Sequence, residues 1–367
     1  MKSIEFNVRV ITPMFMAGAD RNTPELRPSE FKGMMRFWWR AARAENDIKK
    51  LKKEEAEIFG GTGVGEGRSN LRLAFDRHVP NEDWIGFNIS DELNEKLGCK
   101  YLFYSTFLLR SRGKPIIRKY IKSKYRFNLK LSILNEQFFD KILSSFWLAI
   151  YLGGFGTRSR RGGGNIAIEG IEGDLKNVEL SFLTPKTTKI EELGEWIKEN
   201  LKFIKLSIRT QNTSQYPNLS NSRILIFPSK EDWADSLDAL NWVGEKFKFF
   251  RKRHKADLWN MSAFGMPIMH NRFSIRMIPY NNAKRRLSER LASPLIIKVI
   301  EVNSLFFPML IKLNYNIGDV GKEIRANREW HYANKGDVKK VDMKKIDEFF
   351  DELKKQTQTM EIEYDKL

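Results

Sequence analysis

Phe138-Phe139-Asp140-Lys141-Ile142-Leu143-Ser144-Ser145-Phe146-Trp147-Leu148-Ala149-Ile150-Tyr151-Leu152 runs into Gly153-Gly154-Phe155-Gly156-Thr157-Arg158-Ser159-Arg160-Arg161-Gly162-Gly163-Gly164 and then into Asn165-Ile166-Ala167-Ile168-Glu169-Gly170-Ile171. The first part is apolar enough to predict a buried helix over 135–152. The last alternates and predicts a strand over 165–171. Between them lie six glycines and three arginines. Glycines permit positive φ and expose backbone N–H groups, and arginines add planar cationic donors. A helix and a strand joined by such a loop form the closing half of a βαββαβ unit.

Working outward from this loop, residues 4–11 alternate with period two and predict the first strand, which Thr12-Pro13 ends. A helix is predicted from Pro28-Ser29, with Ser29 as N-cap, to about residue 45. Further helical turns are expected at 54–59, and strands at 70–75, 101–110 and 125–133. The order matches a ferredoxin-like unit with insertions. Composition shifts at Thr184-Pro185-Lys186-Thr187-Thr188. Beyond that point strands are expected at 201–209, 222–227, 273–278, 295–302 and 305–313, with helices at 231–253 and 341–353. The fold class expected is therefore α+β. It comprises two tandem ferredoxin-like (RRM-like, βαββαβ) domains with insertions, 1–184 and 185–367, the second inferred from element order alone.

The charge balance narrows the functional classes. The 367 residues hold 64 Lys and Arg against 46 Asp and Glu, a formal net charge of +18, and aromatics make up 12%. Such an excess favours a polyanionic partner, because each neutralised phosphate releases counterions, and bases stack on aromatic rings. The bland alternative is solubility in a Lys/Glu-rich protein. No run of eighteen apolar residues predicts a membrane span, and the N-terminus reads as a strand rather than a signal peptide. The single cysteine, Cys99, leaves no partner for an internal disulfide, and no Cys/His spacing points to a metal or other cofactor. A reducing, cytoplasmic setting follows as the default.

Phe31-Lys32-Gly33-Met34-Met35-Arg36-Phe37-Trp38-Trp39-Arg40-Ala41-Ala42-Arg43 is the densest signal. At 100° per residue Lys32, Arg36, Arg40 and Arg43 share one narrow stripe, while Phe31, Met34, Met35, Trp38, Ala41 and Ala42 lie opposite and should be buried. Trp39 falls at the border, beside the cations. Stacked cations repel unless an anion lies across them, so the stripe reads as a phosphate track with Trp39 as a base platform. Internal acids, including Glu25, Glu30 and Glu45, are the competing explanation. Arg158, Arg160 and Arg161 extend the expected RNA-binding surface.

Enzymatic readings are weaker. Residues 60–69 lack the Gly-x-x-x-x-Gly-Lys-Ser/Thr spacing of a P-loop, since Arg68 stands where Lys belongs. Asp20 and Glu25 share a loop, but acids among arginines more readily brace those arginines than hold Mg²⁺. The histidines, His78, His254, His270 and His331, are scattered, and the basic run 251–255 reads as a solvated helix end. His331-Tyr332 is the best pair for acid–base work.

Thr12-Pro13-Met14-Phe15-Met16-Ala17-Gly18-Ala19-Asp20, Pro24-Glu25-Leu26-Arg27-Pro28-Ser29, Phe37-Trp38-Trp39-Arg40-Ala41 and Ile58-Phe59-Gly60-Gly61 together resemble the RAMP superfamily of CRISPR proteins. Within it they are similar to the first-numbered subunit family of the Cmr (type III-B) effector complex. Loop 153–164 is similar to the superfamily's hallmark loop, and Arg285-Arg286-Leu287-Ser288-Glu289-Arg290-Leu291-Ala292-Ser293-Pro294-Leu295 also resembles this subunit. The resemblance implies tandem ferredoxin-like domains and a non-catalytic RNA-binding role near the 3′ end of a guide RNA and its single-stranded target. It also implies other Cmr subunits, chiefly the repeating backbone subunits, as partners. Carried over, the RNA-facing set is Lys32, Arg36, Trp39, Arg40, Arg158, Arg160 and Arg161, with Arg285, Arg286 and Arg290 added. No family role falls on 80–100. A guide-processing, metal-independent endoribonuclease using His331, and a pure protein-interaction subunit, are the alternatives.

Overall fold

A computed structural model describes the chain apart from residues 21–22, 86–92, 108–109, 112–113, 116–117, 174, 176–178, 212–215, 271–274, 281–289, 327–328 and 333–337. The chain opens with strand β1 (Lys2–Val10), helix α1 (Pro28–Arg43), helix α2 (Ile48–Phe59) and strand β2 (Leu71–Phe75). Helix α3 (Leu97–Phe103) precedes β3 (Arg126–Ile133), α4 (Phe139–Tyr151) and β4 (Ile166–Glu172). The four strands form one sheet in the order β2-β3-β1-β4, all pairs antiparallel. That is the strand order of a ferredoxin-like βαββαβ unit, with α2 and the segment around α3 inserted.

A second unit repeats the pattern. After α5 (Ile190–Ile208) come β5 (Asn218–Ile226), α6 (Ser236–Arg253), the hairpin β6 (Leu295–Val302) and β7 (Leu305–Asn314), α7 (Lys344–Gln356) and β8 (Met360–Glu363). The sheet runs β6-β7-β5-β8, again antiparallel. Asn303 and Ser304 make the hairpin turn, both at positive φ, as a two-residue turn between twisted strands requires. A further sheet built from Ile268–His270, Ile275–Tyr280, Asp319–Ala326, Glu329–Tyr332 and Val338–Lys340 is inserted between elements of this unit.

Alternation explains how the second sheet unites the molecule. Ile224 and Ile226 join the core that also holds β1, α1 and α4, whereas Leu225 and Phe227 join the core beneath α6 and α7. A sheet buried on both faces needs a nearly continuous apolar run, and β6 supplies one.

Three local expectations are corrected. Ser29 lies inside the first turn of α1; Arg27 is the N-cap position and Pro28 starts the helix, where its missing N–H costs nothing. Residues 101–103 are helical, not a strand, because Gly98, Cys99, Leu102 and Phe103 form a buried helical face against α6. A Cβ on Gly98 would sit 2.1 Å from the Asn241 carbonyl oxygen, so only glycine permits this crossing. Residues 201–208 continue α5: Leu193, Ile197, Leu201, Ile204 and Ile208 bury one helical stripe, overriding the local alternation.

Candidate nucleic-acid interface

The glycine-rich loop is held at the centre of the molecule. Thr12 Oγ1 accepts from the Asn165 amide at 2.9 Å, and the Pro13 carbonyl accepts from the Gly164 amide at 2.9 Å. The Thr157 amide donates to the Phe15 carbonyl at 2.8 Å. Residues 12–15 and 153–164, distant in sequence, are thus one construction. Gly164 has a φ of +63°, and a Cβ there would meet the Phe155 carbonyl oxygen at 1.8 Å. On the other side Asn165 Oδ1 accepts from the Val299 amide at 2.9 Å, and the Ile297 amide donates to the Arg160 carbonyl at 3.2 Å. The loop therefore joins the first unit to strand β6 of the second.

Its arginines reach carbonyls, not carboxylates. Arg158 donates to the Leu102 carbonyl and lies over the Tyr104 ring. Arg160 donates to the Ser293 carbonyl and lies over Phe37. Arg161 donates to the Leu295 and Phe264 carbonyls at 2.8 and 3.0 Å. Each keeps some surface, yet protein atoms surround all three. Desolvation lowers all three guanidinium pKa values, Arg160 to about 10 and Arg161 to about 9, so they remain cationic at neutral pH. Behind them Lys298, 1% exposed, donates to the Gly153 carbonyl at 2.9 Å. Burial pulls its amine down to about 7. Carbonyl dipoles orient these cations but do not cancel their charge. Among the described residues none of the four pairs with an acid. Lys298 escaped sequence reading, although a lone lysine inside Leu295-Ile296-Ile297-Lys298-Val299-Ile300 was a visible signal.

The stripe on α1 fares differently. Helix α2 lies across it and supplies acids. Arg36 and Arg40 both donate to Glu55, whose side chain is only 6% exposed, while the two arginines retain 37% and 39%. One carboxylate cannot neutralise two guanidinium groups, and a positive excess remains at the surface. Lys32 is partly exposed one turn away, its amine pKa lowered by burial and by Arg36.

Arg43 is a structural cation. It donates to Glu54 at 2.7 Å and to the Arg209 carbonyl at 2.7 Å, and its bonds to Glu54 keep its pKa raised. Trp39 is 1% exposed, edge-on to Phe59, so the base-platform role expected of it is not available in this structure. Sequence placed α1 against one sheet; the structure packs it also against α2, α4, α5 and strand β5, and the Arg209 carbonyl at the end of α5 takes up Arg43. Arg290 is exposed, whereas Arg285 and Arg286 lie outside the described residues.

Glu25 does brace an arginine, Arg27, at 3.2 Å, and Asp20 accepts from the Thr23 amide at 3.0 Å. His254 packs on Phe250, His78 is exposed, and the side chains of His270 and His331 lie outside the described residues. Among the described residues no cluster of His, Cys, Asp and Glu has metal-site geometry, and no helix is long and apolar enough to cross a membrane.

The family model described as the RAMP superfamily matches residues 7–167, from within β1 through the glycine-rich loop to the start of β4. The CRISPR system Cmr subunit Cmr1-2 of Pyrococcus furiosus is 32% identical over 183 residues, 45% of this chain and 94% of that protein. The chain belongs to the RAMP superfamily of CRISPR proteins, as a homologue of the Cmr1 subunit of the type III-B Cmr complex. The Cmr1-1 subunit of the same organism is 28% identical to this RAMP protein over 320 residues, 84% of this chain and 86% of that one. The crystal structure of apo Cmr1 from P. furiosus shares the fold of this RAMP protein with a TM-score of 0.65, 22% identity and 98% of each chain covered. A type III-B Cmr-beta structure bound to cognate target RNA includes a chain matching at TM-score 0.57 and 12% identity, covering 96% of this RAMP protein and 99% of that chain.

Proposed function

We propose that this RAMP protein is a non-catalytic RNA-binding subunit of a cytoplasmic type III-B Cmr ribonucleoprotein, contacting single-stranded target RNA and the 3′ region of the guide. The observation that carries the reading is the charge excess at the junction of the two units: Arg158, Arg160 and Arg161 gather at one loop with no acid paired to them among the described residues. Its relatives are Cmr subunits, and one matching chain was solved in a complex with target RNA. We read the two βαββαβ units as tandem ferredoxin-like domains, 1–184 and 185–367. The contact set is Lys32, Arg36, Arg40 and the three loop arginines, with Arg285, Arg286 and Arg290 in the second domain. The repeating backbone subunits are the natural neighbours.

Anisotropy titration of the full chain with labelled single-stranded RNA tests this. Arg36→Ala and Arg160→Ala should each weaken binding and lower the salt slope by about 0.7 per lost single-strand phosphate contact. Circular dichroism should establish that both variants remain folded. Unchanged affinity and slope in both folded variants would sink the reading. Cleavage of repeat RNA by the purified chain, abolished by His331→Ala, would replace it with the endoribonuclease.

A further inference from the structure

The second half of α6 carries a basic run that no part of the reading above uses. Lys248, Arg251, Lys252 and Lys255 line a shallow cavity of about 280 Å³ with Tyr101, Leu258, Met261 and Ile268. Lys252 and Lys255 are exposed, and Lys248 and Arg251 are partly so. Among the described residues none of the four pairs with an acid. The nearby carboxylates are engaged elsewhere, Glu352 with Arg253 and Asp257 with Lys345 at 3.9 Å.

Cations in a last helical turn are common because they offset the helix dipole. That accounts for about half a charge at one helix end, whereas four cations gather here and Lys248 stands more than a turn further back. The floor of the cavity is apolar and includes Tyr101, which a helix end does not need.

This cavity is joined to the glycine-rich loop through one ring. Arg161 lies over Phe247 at 5.2 Å and Arg251 lies over the same ring at 5.7 Å. Tyr101 meets Phe247 edge-on at 5.9 Å. Arg161 and Arg251 thus flank one buried ring, which sets the cations of the cavity beside the glycine-rich loop.

We infer that the cavity is a nucleotide subsite for one unit of a single RNA strand that leaves the glycine-rich loop. Lys248, Arg251, Lys252 and Lys255 hold the phosphate, and Tyr101, Leu258, Met261 and Ile268 receive the base. The pairing of an apolar, aromatic floor with a cationic rim matches a nucleotide, which has a flat π-face and an anionic backbone. An acidic protein segment would use the rim but leave the floor without a stacking partner. The inference rests on the RNA-binding reading and extends it to a face of the molecule that the sequence treats as a solvated helix end.

The test uses the full chain and a fluorescein-labelled oligouridine, titrated at several salt concentrations. Lys248→Ala combined with Lys252→Ala should weaken binding about tenfold and reduce the log–log salt slope by about 1.4, the value for two single-strand phosphate contacts. Tyr101→Ala should weaken it at least about fivefold with the slope unchanged, and Tyr101→Phe should restore it. If the parent chain binds RNA and these variants bind it equally well with the same slope, the subsite is wrong while the functional reading stands. If the parent chain binds no RNA, the functional reading itself fails and the subsite with it. If the lysine variant keeps RNA but loses a glutamate-rich peptide, the cavity belongs to an acidic protein partner and the nucleotide is overturned.

Discussion

Arg9 and Glu301 meet in a paired hydrogen bond, 2.8 and 2.9 Å, that ties strand β1 of the first unit to strand β6 of the second. Both side chains are mostly buried, and Arg9 also donates to Glu169 on β4. Desolvation by itself would lower the Arg9 pKa, but the two carboxylates outweigh it and raise it. The two-pronged geometry sets distance and angle together, so the pair fixes how the sheets face each other across the glycine-rich loop.

Arg9→Ala is expected to cost on the order of 2 kcal/mol, because it strands the mostly buried Glu301, while Glu169 keeps Arg126. A double-mutant cycle with Glu301→Ala should return a coupling above about 1 kcal/mol in urea melts. Additive single mutants would mean that other contacts hold the two units in register.

Glu55→Gln should separate stability from RNA binding. Glu55 is buried, but its partners Arg36 and Arg40 are more than a third exposed, so solvent screens the pair and the expected loss is about 1–2 kcal/mol. Freed of their shared carboxylate, the two guanidinium groups should bind single-stranded RNA more tightly and with a steeper salt slope. A variant that loses stability and gains no affinity would show the α1 stripe to be purely structural.

Lys298 makes stability depend on pH in a defined direction. Its folded pKa, about 7, lies below the unfolded value. The unfolded chain therefore holds an extra proton between about pH 7 and pH 10, and stability rises with pH across that window. Below it the penalty is fully present. Lys298→Met should raise the unfolding free energy at about pH 6 by on the order of 1 kcal/mol, seen as a higher melting temperature, and change little near pH 10. Equal gains at both pH values would contradict a buried, depressed amine.

Gly164→Ala should lower stability by about 2 kcal/mol or more, since both its positive φ and the Phe155 carbonyl exclude a side chain. The same substitution at Gly67, where nothing lies within 4 Å, should be close to neutral. Equal effects at the two sites would show that loop 153–164 can relax without cost.

Local sequence carried much of this protein. Period-two alternation located β1, β3 and β4, and continuous apolar runs located β6, β7 and α4, because the spacing of buried positions is set by each element's own backbone geometry and by how many of its faces are covered. The basic stripe, the glycine-rich loop and the motifs at 12–20 and 37–41 were likewise legible, and so was the family. What tertiary structure alone decided is which charges are spent. Glu54 and Glu55 on α2 meet α1 only after the chain folds back, and the end of α5 brings the Arg209 carbonyl to Arg43. The union of residues 12–15 with 153–164, and of Arg9 with Glu301, likewise joins positions far apart in the chain. Periodicity reports the environment of one element at a time, whereas charge pairing and burial depend on partners that only long-range packing brings within a few ångströms.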